Sequence, residues 1–187
     1  IMAFTSDLKR GMIISFNNVP HLLIEKEFYS PGKGAAFTRT KLKNIQTGKI
    51  VNQVFKSGEK VDELDIETKT MQFLYADETD AYFMDPVSFE QISVALNMID
   101  KGTAFLHTEG KYILIVFEGK AISVQLPSKI GLQVVETSDT VKGNTSGNAT
   151  KDAILETGYK AQVPLFIKQG ERVIINTETC LYVSKEN

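Results

Sequence analysis

Short apolar runs, each closed by a Gly, Asn or Pro turn signal, recur along the whole chain and leave room for little but β-strands. In the first third the runs fall at 12–16, 21–25, 27–29, 36–45 and 50–55, broken by Asn17-Asn18, Pro31-Gly32-Lys33-Gly34 and Thr47-Gly48. Four or five strands in so short a span predict a small SH3-like barrel. The second third predicts strands at 69–75, 81–84, 104–107, 112–117 and 121–126. Between them, 89–97 alone has helical spacing, with Phe89, Ile92 and Leu96 on one side. Five strands around a short helix fit an OB-like barrel. The last third repeats the style with strands at 131–137, 153–156, 160–167, 172–176 and 181–183, a second OB-like barrel.

The expectation is therefore an all-β chain of three small barrels, at residues 1–64, 65–127 and 128–187. Pro127 closes the middle one, because proline cannot continue a central strand. Ile1 ahead of Met2 reads as an extra residue before the natural start. No apolar run is long enough for a membrane span, and no secretory leader is visible. The single cysteine, Cys180, excludes an internal disulfide, and His21 and His107 lack neighbours at ligand spacing, so no metal is expected. A reducing cytoplasm suits this composition.

The net charge of −2 conceals an asymmetry. Residues 1–64 carry ten Lys/Arg against six Asp/Glu, whereas 65–127 carry four against ten. Between Phe28 and Gly58 there is no acid, yet Lys33, Arg39, Lys41, Lys43, Lys49 and Lys56 all lie there. A one-signed block points to a polyanion, and nucleic acid is the usual one.

The densest signal is the tip Pro31-Gly32-Lys33-Gly34. Glycines flanking Lys33 permit positive φ and remove side chains that would crowd it, and Pro31 stiffens the approach. This is no phosphate-binding P-loop, because Glu27 and Gly34 stand where that motif needs a glycine and a Ser/Thr. Beyond the tip, Arg39, Lys41 and Lys43 alternate and should share one strand face, a stripe suited to phosphate contacts that position without reading sequence. Asp77, Glu78 and Asp80 cluster at a predicted turn, with no His or nucleophile to make them a metal or acid–base site. No Ser/His/Asp or Cys/His constellation can be assembled, so no enzyme is expected.

At these residues a resemblance enters. Residues 31–37 with Arg39, Lys41-Leu42-Lys43-Asn44 and Thr47-Gly48, followed by residues 55–60, closely resemble the first domain of bacterial elongation factor P. Met84-Asp85 with Phe89-Glu90-Gln91 resembles its middle domain, and residues 151–153, Gly158, 163–166 and Gly170-Glu171 resemble its third. The resemblance implies an L-shaped protein, an SH3/KOW-like barrel followed by two OB barrels, that enters the ribosome between the P and E sites. It implies relief of stalls at consecutive prolines, with Lys33 reaching the CCA end of P-site tRNA. It further implies that an enzyme extends Lys33, by β-lysylation in many bacteria; a related hypusine-bearing factor serves archaea and eukaryotes. The implied protein is a cytoplasmic monomer without other cofactor, whose partners are rRNA and tRNA.

Further contacts implied by the family fall on the third-domain loop Gly143, Asn144, Thr145 and Gly147 and on Tyr182 and Lys185 near the C-terminus. Two departures bear on them. Asn144 stands where the family usually has Asp, and Lys185 where it often has Arg, which keeps the charge but loses the bidentate fork. The competing reading is a free RNA-binding OB/SH3 protein, which would rely on exposed aromatics for base stacking; the basic block offers little of that beyond Phe37.

Overall fold

The computed structural model describes residues 2–138 and 149–186 as three β-sheets. The first contains β1 (Met2–Phe4), β2 (Ile13–Phe16), β3 (Val19–Tyr29), β4 (Phe37–Asn44), β5 (Ile50–Lys56) and β6 (Lys60–Leu64), ordered β1-β6-β2-β3-β4-β5. The second contains β7 (Glu67–Ala76), β8 (Asp80–Met84), β9 (Gln91–Ala95), β10 (Lys111–Phe117) and β11 (Lys120–Gln125), ordered β11-β10-β7-β8-β9. The third contains β12 (Lys129–Thr137), β13 (Thr150–Leu155), β14 (Lys160–Pro164), β15 (Arg172–Asn176) and β16 (Tyr182–Lys185), ordered β14-β13-β12-β15-β16. No described helix is long and apolar enough to cross a membrane.

By density of internal packing the chain divides into two compact units, Ile1–Lys69 with Leu114–Gln125, and Thr70–Ile113 with Leu126–Asn187. Within the first unit Leu8, Ile14, Leu23, Leu42, Phe55 and Val61 form one core. Ile13 and Leu22, on the other face of β2 and β3, join Ile115 and Ile122 in a second. Both faces of these two strands are thus buried, which explains their unbroken apolar runs. Within the second unit, the Thr157 hydroxyl donates to the Ala104 carbonyl at 2.7 Å and the Phe105 and Tyr159 rings lie 5.1 Å apart.

Three sequence expectations fail, each for a nameable reason. Residues 89–97 form no helix. The Asp85 carboxylate accepts from the Val87 and Ser88 amides and closes a hairpin turn, in which Phe89 takes φ 59° and is 69% exposed. The chain then pairs as β9, with Val94 buried, and only Leu96–Met98 makes a 3₁₀ turn. Cross-strand pairing overrode a three-residue coincidence of helical spacing.

Residues 104–107 are not a strand either. The buried Tyr112 hydroxyl donates to the Phe105 carbonyl at 2.9 Å and accepts from the His107 amide at 3.0 Å, so a side chain takes the place of a ladder. Gly110 is required beside it, since a Cβ there would lie 2.7 Å from that hydroxyl. Finally, the supposed break between 21–25 and 27–29 is a bulge between Leu23 and Glu25 within one continuous β3.

Candidate functional site

The β3–β4 hairpin builds the site from the core outward. Leu23 and Leu42 are its only directly paired residues that are both buried. Past the bulge, every β3 residue from Glu25 to Tyr29 is exposed, while β4 keeps Thr38 and Thr40 buried against β5. Thr40 Oγ1 donates to the Gln53 carbonyl at 3.0 Å, satisfying a hydroxyl that the strand hides. From the Leu23–Leu42 pair to the Tyr29–Phe37 pair the arm runs on for roughly 17 Å at the usual strand rise.

Tyr29 and Phe37 close the arm with rings 5.1 Å apart, and the Arg39 guanidinium lies 5.3 Å from the Phe37 centroid and 6.0 Å from that of Tyr29. Contacts of this kind hold the arginine plane while leaving its in-plane N–H groups for an acceptor. Residues 30–36 then form the tip. Lys33 is exposed, and among the described residues no hydrogen bond or ion pair engages its ammonium. Gly34 uses its freedom, at φ +112°, with Pro31 Cγ 3.8 Å from where a Cβ would stand. Gly32 does not: its φ is not positive, and a Cβ there would meet nothing within 4 Å.

Arg39 and Lys41 do project from one exposed face, opposite buried Thr38, Thr40 and Leu42, with Lys43 half-buried on the same side. What the sequence reading missed is the neighbouring strand. Glu27 pairs with Arg39 and Glu25 with Lys41, and the Lys41 ammonium sits 2.7 Å from the Glu25 carboxylate. Both side chains are about half exposed, so the pair itself contributes little to stability. It does make Lys41 a costlier phosphate contact. Lys26 was also missed; its ammonium donates to the Ser6 and Leu8 carbonyls at 3.0 and 2.9 Å, bracing the root of the arm. Arg10, Lys26, Arg39 and Lys41, with Glu25 and Glu27, line an open groove of about 840 Å³ along this face.

The remaining sequence candidates lie elsewhere. Tyr182 is half-buried, and Lys185 donates to Glu171 Oε1 at 2.8 Å, which lowers the Glu171 pKa; the Lys168 amide on the other oxygen adds to the effect. Gly143, Asn144, Thr145 and Gly147 lie outside the described residues. Both histidines bond backbone, His21 Nδ1 to the Val19 carbonyl and His107 Nδ1 to that of Thr108. Among the described residues no His, Cys, Asp or Glu cluster could hold a metal ion.

Comparison with known proteins decides the family. The model of the elongation factor P KOW-like domain matches residues 5–61, that of its OB domain 66–124, and that of its C-terminal domain 130–185. The chain belongs to the elongation factor P family. It is 40% identical over 185 residues to elongation factor P of Maridesulfovibrio salexigens, covering 99% of this chain and 100% of that one. To elongation factor P of a Synechococcus strain it is 41% identical, again over 99% and 100%. A solved structure of eukaryotic translation initiation factor 5A from Methanococcus jannaschii matches at TM-score 0.43 and 20% identity, covering 67% of this chain and 92% of that one. That structural likeness is too distant to add anything. As a member of the elongation factor P family, the chain is a translation factor of KOW-like and OB domains.

Proposed function

We propose that this member of the elongation factor P family binds the ribosome between the P and E sites and stimulates peptide-bond formation at consecutive prolines. Lys33 is the working group, placed near the CCA end of P-site tRNA. The observation that carries the reading is the unengaged Lys33 ammonium on an extended arm, beside a Gly34 whose conformation only glycine adopts readily. A lysine so placed serves no purpose in folding. The reaction chemistry belongs to the ribosome, so the factor needs no nucleophile or general base of its own. It accelerates the step by holding peptidyl-tRNA in a reactive geometry, which is worth much to a slow, restricted nucleophile such as proline.

Arg39, Lys41 and Lys43 supply phosphate contacts along the arm, Lys41 by exchanging Glu25 for phosphate. A modifying enzyme lengthens Lys33, giving the tip further reach. The loop containing Asn144 and Thr145, with Tyr182 and Lys185, contacts RNA of the small subunit. The factor acts as a monomer in the cytoplasm.

Lys33→Ala tests the reading. The unfolding free energy stays within about 0.5 kcal/mol of wild type, as for an unengaged surface residue. Synthesis through a Pro-Pro-Pro stretch slows at least about tenfold, the scale of losing a positioning contact. Full activity in the variant would sink the assignment. Intact mass of protein from its native host shows whether Lys33 carries an addition.

A further inference from the structure

The β7–β8 hairpin presents two tyrosines on the face opposite its buried residues. Met71 and Phe73 point inward on β7, and strict alternation would bury Tyr75 after them. A bulge intervenes: Phe73 pairs with Phe83, but Tyr75 pairs with Tyr82, leaving Leu74 as the extra residue. Tyr75 is thereby turned out, 54% exposed, and stacks on Tyr82 with centroids 4.7 Å apart and planes 20° apart. Bulges that re-aim a side chain cost local pairing and are found where the re-aimed group is used. Here a large ring has been withdrawn from the core and left with one face on its neighbour.

The surroundings select what that ring can receive. The Tyr82 hydroxyl donates to Asp77 Oδ2 at 2.8 Å, and Oδ1 of the same carboxylate accepts from the Thr79 and Asp80 amides, each at 2.8 Å. These amide bonds first, then the phenol, pull the Asp77 pKa down to about 2, so it remains an anion at any physiological pH. An anion on the Tyr82 phenol proton pushes electron density into the Tyr82 ring, on which Tyr75 is stacked, so the pair together offers a cation an electron-rich surface whose open face is Tyr75. Asp80 lies against the Thr79 hydroxyl and Glu78 is exposed beside it, while residues 65–127 as a whole carry ten acids against four bases. Phosphates are repelled from such a surface. Ser93, exposed and paired with Tyr82 across the β8–β9 ladder, extends it as a flat polar shelf.

We propose that the Tyr75–Tyr82 face is a docking site for a basic polypeptide segment, with an arginine or lysine lying on Tyr75 and its charge answered by Asp77, Glu78 and Asp80. The exposed ring supplies specificity and the acids supply the sign. This surface stands on its own, whether or not Lys33 acts at a tRNA end.

The test titrates the full chain, with ¹³C-labelled tyrosine, with a hexa-arginine peptide and, separately, with hexa-adenylate RNA. The Tyr75 and Tyr82 ring signals shift saturably with the peptide and not with the RNA. Tyr75→Phe keeps the affinity, because the ring remains. Tyr75→Ala, which leaves every charge in place, loses roughly fivefold, the worth of one exposed cation–π contact. Unchanged peptide affinity in Tyr75→Ala would show that general acidity alone attracts the peptide, and ring shifts that follow the RNA would show a base-stacking face; either result overturns the proposal.

Discussion

The β3–β4 and β7–β8 hairpins share a plan and reverse each of its terms. Each is bulged, the first between Leu23 and Glu25 and the second between Phe73 and Tyr75, and each carries a cross-strand aromatic pair near its tip. Beyond its pair the first carries glycines and Lys33, and among the described residues no hydrogen bond crosses residues 30–35. Beyond its pair the second carries Asp77, whose carboxylate accepts from the Thr79 and Asp80 amides of the turn and from the Tyr82 hydroxyl on the next strand. A turn that satisfies its own donors with its own carboxylate is closed and stiff. One built on glycine leaves its polar groups to be satisfied by another molecule. The basic tip is open and the acidic tip is locked, and the two sign preferences follow.

The largest effect that could break this contrast comes from filling the open tip. Gly34→Ala costs about 1 kcal/mol, because alanine at φ +112° is strained, and it displaces Lys33 enough to lower stall rescue. Gly32→Ala, with open space around it, changes stability by less than about 0.5 kcal/mol. Denaturant midpoints and the proline-stretch assay on both variants check this; equal effects at the two glycines would mean that the tip has no defined conformation.

A smaller effect sharpens the electrostatic half. If Glu25 occupies Lys41 in the free protein, Glu25→Gln tightens ribosome binding and steepens its salt dependence by up to about one counterion. Arg39→Gln, which removes a cation held by aromatic rings, flattens the slope by a similar amount. Titration at several salt concentrations reads both, and an unchanged slope in Glu25→Gln would mean that Lys41 faces no phosphate.

The smallest effect is a pH signature of the locked tip. Asp77 has its pKa lowered from an ordinary 3.8 to about 2, chiefly by the Asp80 and Thr79 amides and then by the Tyr82 hydroxyl. A depressed folded pKa contributes stability that is full above the unfolded value and is lost as pH falls through the folded one. The Thr79 and Asp80 amide shifts therefore hold steady from neutral pH to near 4 and move with a midpoint near 2. A midpoint near 4 would show that the carboxylate is not engaged in solution.

Much of this was legible without coordinates, and the gaps share one cause. The Gly-flanked Lys33 could be read because a turn is a local event, written in adjacent residues. The alternation of Arg39 and Lys41 could be read because strand periodicity is local too, and buried Thr38 and Thr40 confirm their common face. The acids opposite them could not. Glu25 and Glu27 lie more than ten residues away in sequence, and their alignment depends on where the β3 bulge falls. The strands β1, β6 and β9 went unread for a similar reason. Each is short, and its pairing partner supplies the order that its own residues lack.

By itself, then, the order of residues determined the all-β class, the turns marked by glycine or Asn-Asn, the exposed lysine and the segregation of charge, because each follows from neighbours along the chain. The tertiary structure alone decided which charges face each other, which tyrosine leaves the core, and that Tyr112 rather than a ladder organises residues 105–107. Those outcomes depend on register. A shift of a single residue moves a side chain from one face of a sheet to the other, and only the packed partner strand selects the register.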